Sequence, residues 1–305
     1  MHLEHLRALT AVVDEESFEA AADLLRISPS AVSQRIKALE ASVGQVVVRR
    51  GSPCTPTDAG AVLLRTARQV QLLEAEARHA LGLGAADRTV TPVAVNADSL
   101  ATWFAPVLGE AAGWTDTVLD LRVEDQDHSS RLLRGGEVLA AVTSDPAPVG
   151  GCRVEPLGAM RYLPVAAPGL LRRWGAGPAA ATGGAGLDWG RVPVLRFNGK
   201  DDLQLRALRA LGLDRSPPAH TVPSSEAFLA AVRAGLGWGM VPELQLGAEL
   251  ADGSLVLLAE HAPEDVVLHW QTWTLASGRL DRLAAAVRDA ARRRLRPAPA
   301  VPSGG

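Results

Sequence analysis

The sequence predicts an α/β chain in three parts: a small helical unit ending in a two-stranded hairpin, one long helix, and a larger two-lobed domain of alternating strands and helices. Three observations carry this. Two short helical patterns meet across a tight break between Ser17 and Glu40. Apolar and small residues from Leu63 to Leu81 keep spacings of three and four, and beyond residue 91 short apolar strands take turns with amphipathic helices.

In chain order, Leu3, Leu6, Leu9, Val12 and Val13 form one helical stripe. Phe18, Ala21, Ala22 and Leu25 recur at helical spacing, Arg26 and Ile27 break the run, and Ser28-Pro29 supplies an N-cap followed by proline at the first helical position. On the helix that starts there, Val32, Ile36, Leu39 and Val43 share a face that must be buried. The opposite face carries Ser30, Gln34 and Lys37. Small hydroxyls, an amide and a cation suit a helix that enters a DNA major groove, which reads as a helix-turn-helix; a helical hairpin with a polar solvent face is the alternative. After Gly44, the run VVVRR, the turn GSPC and Thr55-Pro56-Thr57 form a short hairpin, a wing. Arg49 and Arg50 at its tip are either phosphate contacts or a solvated pair on an edge strand. The candidate set for double-stranded DNA is Ser28, Ser30, Ser33, Gln34, Arg35, Lys37, Arg49 and Arg50.

From Asp58 to about Leu83 the pattern is one long helix whose seam is Leu63, Thr66, Val70, Leu73, Ala77 and Leu81. A homodimer would bury that seam and supply two recognition helices; packing against the chain's own next domain is the alternative. GLGAADRTVT follows as a linker, then PVAVNADSLATWFAPVL reads as strand, polar turn and one helix. TVLDLRVEDQD and EVLAAVTSD add strands ending in polar residues, and a second α/β lobe follows before VVLHWQTWTL and the helix Arg279 to Arg294 close the domain. Ligand sites of parallel sheets lie at the carboxyl ends of strands, and a chain that leaves one lobe and returns places a binding cleft between the two.

Composition narrows the class. With 305 residues, 47% apolar content and a net charge of −3, the chain is a multi-domain globular protein rather than a uniformly basic one. Six acids crowd positions 4 to 23, whereas Arg26, Arg35, Lys37, Arg49 and Arg50 are interrupted by Glu40 alone. No signal peptide or membrane span is read, so a cytoplasmic protein with no membrane association is expected. Cys54 and Cys152 stand far apart without metal spacing, and the seven histidines are scattered, so neither metal nor cofactor is expected. The sequence contains no G-x-S-x-G, P-loop or G-x-G-x-x-G after a strand, which argues for a binding cleft rather than an enzyme. A solute-binding protein would not carry the N-terminal helical part.

FEAAADLLRISPSAVSQRIKALE, the following Gly44 and the T-x-A-G of Thr57 to Gly60 resemble the winged helix-turn-helix signature of LysR-type transcriptional regulators. VNADSLATWFAPVL, VEDQDHSSRLLRGGEV, VPSSEAF and MVPELQL resemble the branch that senses lysine and arginine and controls their export. The resemblance implies a winged helix-turn-helix at 1–58, a dimerising linker helix and hinge at 59–90, and a periplasmic-binding-protein-like effector domain at 91–300. Within that domain lobe I takes about 91–163 and 265–296 and lobe II about 164–264; a disordered tail fills 297–305. A homotetramer built from two dimers, contact with RNA polymerase and a lysine or arginine effector are implied, with a different small polar metabolite as the alternative effector. The candidate effector residues are Asn96, Asp98, Ser99, Leu100, Glu124, Thr143, Asp145, Asp201, Asp202, Ser224 and Ser225. Helix-start serines would seat a carboxylate and acids would seat the cations, although Asp98, Asp201 or Asp202, and Ser225 are also plain helix-start residues. Trp103, Trp114, Trp238, Trp270 and Trp273 are expected to pack in the core.

Overall fold

The computed structural model describes residues 2–81, 88–123, 126–174, 187–214, 216–259 and 262–298. Residues 82–87 of the predicted linker and 299–305 of the predicted tail lie outside the described residues.

Helices α1 (Leu3–Asp14), α2 (Phe18–Leu25) and α3 (Pro29–Val43) precede the hairpin of β1 (Val48–Arg49) and β2 (Thr55–Pro56), after which α4 (Asp58–Ala80) begins. Local chemistry sets each boundary. The Ser17 hydroxyl accepts the amides of Glu19 and Ala20, Arg26 ends α2 in the left-handed region at φ 54°, and the Ser28 hydroxyl accepts the Ala31 amide at 3.2 Å. Gly44 ends α3 at φ 70°. Val32, Ile36 and Leu39 are fully buried with Leu9, Val12, Ala21 and Ala22, while Val43 only borders that core. Truncating Ile36→Ala should therefore cost about 2–5 kcal/mol, read as a lowered melting temperature of the DNA-binding part.

The T-x-A-G motif joins wing to helix. Thr57 Oγ1 accepts the Gly60 amide at 3.0 Å and donates to the Val46 carbonyl at 2.7 Å. A Cβ on Gly60 would stand 1.9 Å from the Val47 carbonyl oxygen, so no other residue fits there without moving the wing.

The larger part contains β3 (Thr89–Val95), α5 (Ala97–Ala101), α6 (Ala105–Ala111), β4 (Thr117–Val123), α7 (Gln126–Arg134), β5 (Ala140–Thr143) and β6 (Cys152–Ala166). It continues through α8 (Pro168–Arg173), β7 (Val194–Arg196), α9 (Leu203–Ala210), β8 (Ala219–Thr221), α10 (Ser225–Arg233), β9 (Gly239–Pro242), β10 (Val256–Leu257), β11 (Glu264–Trp273) and α11 (Gly278–Arg294). The single helix expected after the first strand is two. Pro106, which cannot donate to a preceding turn, occupies the second position of α6 and forces a restart after Thr102.

The chain divides into two compact units. One comprises Met1–Val95, Glu110–Glu155 and Trp270–Ala285; the other comprises Asn96–Gly109, Pro156–His269 and Ala286–Gly305. In the first, β3 lies between β4 and β5 in parallel register, with Val93 opposite both Leu121 and Ala140. Leu72 of α4 packs in that sheet's core with Leu132, Leu133, Val138, Leu139, Trp273 and Leu280, while Leu64 and Ala67 join the helical core. Helix α4 thus packs on its own chain mainly through a face beside the predicted seam, although Leu63 of the seam also borders the helical core. The seam itself is open toward its C-terminal half: Leu73, Ala77 and Leu81 are exposed, the last at 72%.

In the second unit β6 pairs antiparallel with β9 and β10, and β7 pairs parallel with β8. Val165, Leu195, Phe228, Leu229, Val232 and Val241 fill its core. As expected of core residues, Trp103, Trp238 and Trp270 are fully buried and Trp273 nearly so. Trp114 is half-buried and receives the Arg282 guanidinium over its ring.

Candidate nucleic-acid interface and effector site

Because α3 buries Val32, Ile36 and Leu39, its other face must point outward, and Ser30, Gln34 and Lys37 are exposed there. The Ser28 hydroxyl spends its acceptor capacity on the helix cap and lies 2.8 Å from that of Ser30. Ser33 is half-buried. Arg35 turns back to Glu4 of α1, 3.0 Å away. Both wing arginines are exposed; Arg50 also lies 4.9 Å over the Phe18 ring and donates weakly to Ser33 Oγ at 3.5 Å. Those groups line a groove of about 410 Å³ between the wing and the start of α2. The sequence placed Phe18 only on a helical stripe; its use as a platform under Arg50 depends on a contact no local pattern encodes.

These placements separate two kinds of contact. Gln34→Ala should relax sequence preference and cost about 1–3 kcal/mol in affinity for the preferred site, measured against a panel of single-base variants. Arg49→Ala should instead weaken all duplexes alike and reduce the magnitude of the salt slope by about one.

The candidate effector residues fall in both units. In the second unit Asn96 is the N-cap of α5, its Oδ1 accepting the Ser99 amide at 2.7 Å. That frees Asp98 from capping. Its carboxylate instead accepts the Tyr162 hydroxyl at 2.8 Å and the Ser225 hydroxyl at 2.6 Å, and Gln245 Nε2 donates to Ser225 Oγ at 2.9 Å. Burial pushes the Asp98 pKa up, opposed by the two hydroxyl donors, and the charge of Asp201 adds to the rise. No cationic side chain pairs with Asp98 among the described residues. Close by in the chain, Asn96 Nδ2 and Ser99 Oγ are buried without a hydrogen-bond partner among the described residues. Buried polar atoms of that kind require explanation, and a ligand is one.

Leu100 only donates its amide to the Asn96 carbonyl. Ser224 caps α10, accepting the Ala227 amide, and Ser225 is buried against Asp98. Asp201 accepts the amides of Phe197 and Leu203 and the Gln204 side chain, which closes the loop before α9; Asp202 is exposed, 3.5 Å from Arg206. Thr143 and Asp145 belong to the first unit. There the Asp145 amide donates to Thr143 Oγ1, and its carboxylate accepts the Ser130 hydroxyl and the Ala147 amide. Glu124 lies outside the described residues. Tyr162 and Gln245 were not among the sequence candidates: a tyrosine in an apolar strand carries no local signal, and Gln245, although inside the MVPELQL motif, sits at the end of the 3-10 helix Glu243–Gln245 with nothing in its neighbours to mark it.

Among the described residues no group of histidine, cysteine and acidic side chains could hold a metal ion, and no helix is long and apolar enough to cross a membrane.

An outward polar helix with its wing, a long helix and a strand–helix domain holding buried unpaired polar groups define a ligand-responsive DNA-binding protein. Residues 3–61 match the bacterial regulatory helix-turn-helix family of LysR type, and residues 91–296 match the LysR substrate binding domain. The chain belongs to the LysR family of DNA-binding transcriptional regulators and is not an enzyme. It is 50% identical to the lysine export transcriptional regulatory protein LysG of Corynebacterium efficiens, over 96% of this chain and 98% of that one. The crystal structure of ArgP from Mycobacterium tuberculosis superimposes with a TM-score of 0.81 at 48% identity, covering 96% of this chain and 98% of that one. Full-length LysG from Corynebacterium glutamicum with bound effector Arg gives a TM-score of 0.76 at 45% identity, covering 97% of this chain and all of that one.

Proposed function

We propose that this regulator senses a free basic amino acid, lysine or arginine, in the cytoplasm and controls an amino-acid exporter gene. The observation that carries the reading is Asp98, a half-buried residue whose carboxylate has only hydroxyl donors for partners. A buried charge without a counter-charge is costly, and an ammonium or guanidinium ligand would remove that cost. The unpaired Asn96 Nδ2 and Ser99 Oγ supply polar partners for the ligand's other end, with Ser224 and Ser225 at the start of α10. In the first unit Thr143 and Asp145 remain candidate effector residues, as does Glu124, whereas Asp201 and Asp202 shape the loop before α9. The relative that carries arginine in its solved structure supports the same ligand class.

On the DNA side, Ser30, Ser33, Gln34 and Lys37 read the major groove, Arg49 and Arg50 hold phosphates, and Ser28 and Arg35 fix the helix that presents them. The open seam of α4 joins two copies, and two such dimers make a tetramer that meets RNA polymerase at the promoter. A thermal-shift titration with lysine, arginine and norleucine tests the effector reading. Lysine or arginine should raise the melting temperature with a concentration dependence that norleucine lacks; equal stabilisation by norleucine would remove the acidic site from the account.

A further inference from the structure

Arg68, in the middle of α4, is 6% exposed, and its guanidinium is shared between two parts of the protein. One nitrogen donates to Asp14 Oδ1, at the last residue of α1. Another donates to the Gly136 carbonyl at 2.7 Å, in the turn that ends α7. Burial draws the guanidinium pKa down, and the Asp14 carboxylate opposes that fall. A charge in this position needs both acceptors, because withdrawal of either leaves it buried and poorly paired.

Each acceptor leads to a functional element. Two residues after Asp14, the Glu16 carbonyl accepts the Cys54 amide of the wing, and Ser17 caps α2. Movement of Asp14 therefore reaches both the wing and the entry to the helix-turn-helix. On the other side, Gly136 sits so tightly on α4, at φ +69°, that a Cβ there would stand 2.3 Å from Arg65 Cα. Its turn is bonded to Leu132 and Leu133 of α7, which are core residues. The same helix presents Ser130 to the candidate effector residue Asp145. Asp145, α7, Gly136, Arg68, Asp14 and the wing are thus joined by packed or hydrogen-bonded contacts inside one compact unit.

We propose that Arg68 is a positioning residue that couples the effector-binding lobe to the DNA-binding domain, through simultaneous bonds to the Gly136 carbonyl and the Asp14 carboxylate. This rests on the effector-responsive reading above. Two substitutions test it in the full-length chain: Arg68→Met, which keeps the apolar stem and removes every donor, and Asp14→Asn, which keeps the acceptor's shape and removes its charge. The DNA probe is a duplex selected from a random pool by the wild-type protein, and the effector probes are L-arginine and L-lysine. Both variants should bind arginine within about threefold of wild type. The arginine-dependent change in duplex affinity, at least about fivefold in wild type, should fall below about twofold in both. A purely structural role would lower the melting temperature and leave that ratio intact.

Coupling is reciprocal, so a second arm needs no effector. In wild type, duplex binding should slow amide exchange at Glu137 to Leu139; in Arg68→Met it should not. Retention of the arginine response together with duplex-induced protection in Arg68→Met overturns the proposal. If neither amino acid binds wild type, the effector reading fails by itself, and the exchange arm decides the coupling.

Discussion

Asp98→Asn should abolish basic-amino-acid binding while making the ligand-free protein more stable. The carboxylate packs half-buried against the Tyr162 and Ser225 hydroxyls with no cation among the described residues, so a neutral isostere relieves the empty protein of a partly desolvated charge. The same change deprives a bound ammonium or guanidinium of its partner, at a cost of about 2–5 kcal/mol, or tens- to thousands-fold in affinity. Calorimetric titration with arginine reads the second effect and thermal melting reads the first. A pH series separates them further. Because burial holds the folded-state pKa of Asp98 above its ordinary value, the folded chain keeps that proton more tightly than the unfolded chain. The ligand-free protein therefore loses stability as pH rises from the ordinary carboxylate range through the raised pKa, and stays at the lower level above it. Asp98→Asn should remove that loss. An unchanged arginine affinity, or a variant less stable than wild type across the pH range, contradicts the assignment.

Leu73→Glu should abolish the proposed pairing of two copies through α4 without unfolding the chain. Intrachain packing of α4 runs through Leu63, Leu64, Ala67, Arg68 and Leu72, whereas Leu73 is 43% exposed in the single chain. A carboxylate in the middle of the seam would have to be buried without a partner each time two helices met. Loss of the second recognition helix should reduce affinity for a duplex with two half-sites by about 10²–10⁴, with little change for a single half-site. Sedimentation velocity and titration of the two duplexes check both. A variant that stays dimeric would place the interface elsewhere.

What could be read from the sequence was the chemistry that acts over a few residues. The Ser28 cap, the proline start of α3, its glycine end and the polar outward face all follow from spacings within one or two turns, and each was found where expected; the Ser17 cap of α2 is local chemistry of the same kind that was not singled out. The T-x-A-G motif was recognisable, but its reason was not: Gly60 is required by a close approach of the Val47 carbonyl. Helix α4 shows where periodicity stops being sufficient. Spacings of three and four predicted an apolar seam for a partner helix; Leu73, Ala77 and Leu81 of that seam are exposed in the single chain while Leu63 borders the helical core, and the spacing gave no hint that Leu72, one position over, closes the core of the neighbouring sheet. The effector residues divide similarly. Asn96, Asp98 and Ser99 stand out as polar residues after an apolar strand, but their roles come from partners far along the chain. Asp98 meets Tyr162 and Ser225, 64 and 127 positions away, and Arg68 meets Asp14, 54 positions away. No local pattern encodes such pairs, because they depend on the register of α4 on the sheet and of α10 against α5.

Occupancy of the effector site should change DNA recognition, and a single titration decides whether it does. Fluorescence anisotropy of a duplex selected by the full-length protein would be measured with no ligand, with L-arginine, with L-lysine and with norleucine. Arginine or lysine should shift the duplex affinity by at least about fivefold, and norleucine should leave it unchanged. A duplex affinity indifferent to both basic amino acids, or one shifted equally by norleucine, would contradict the claim.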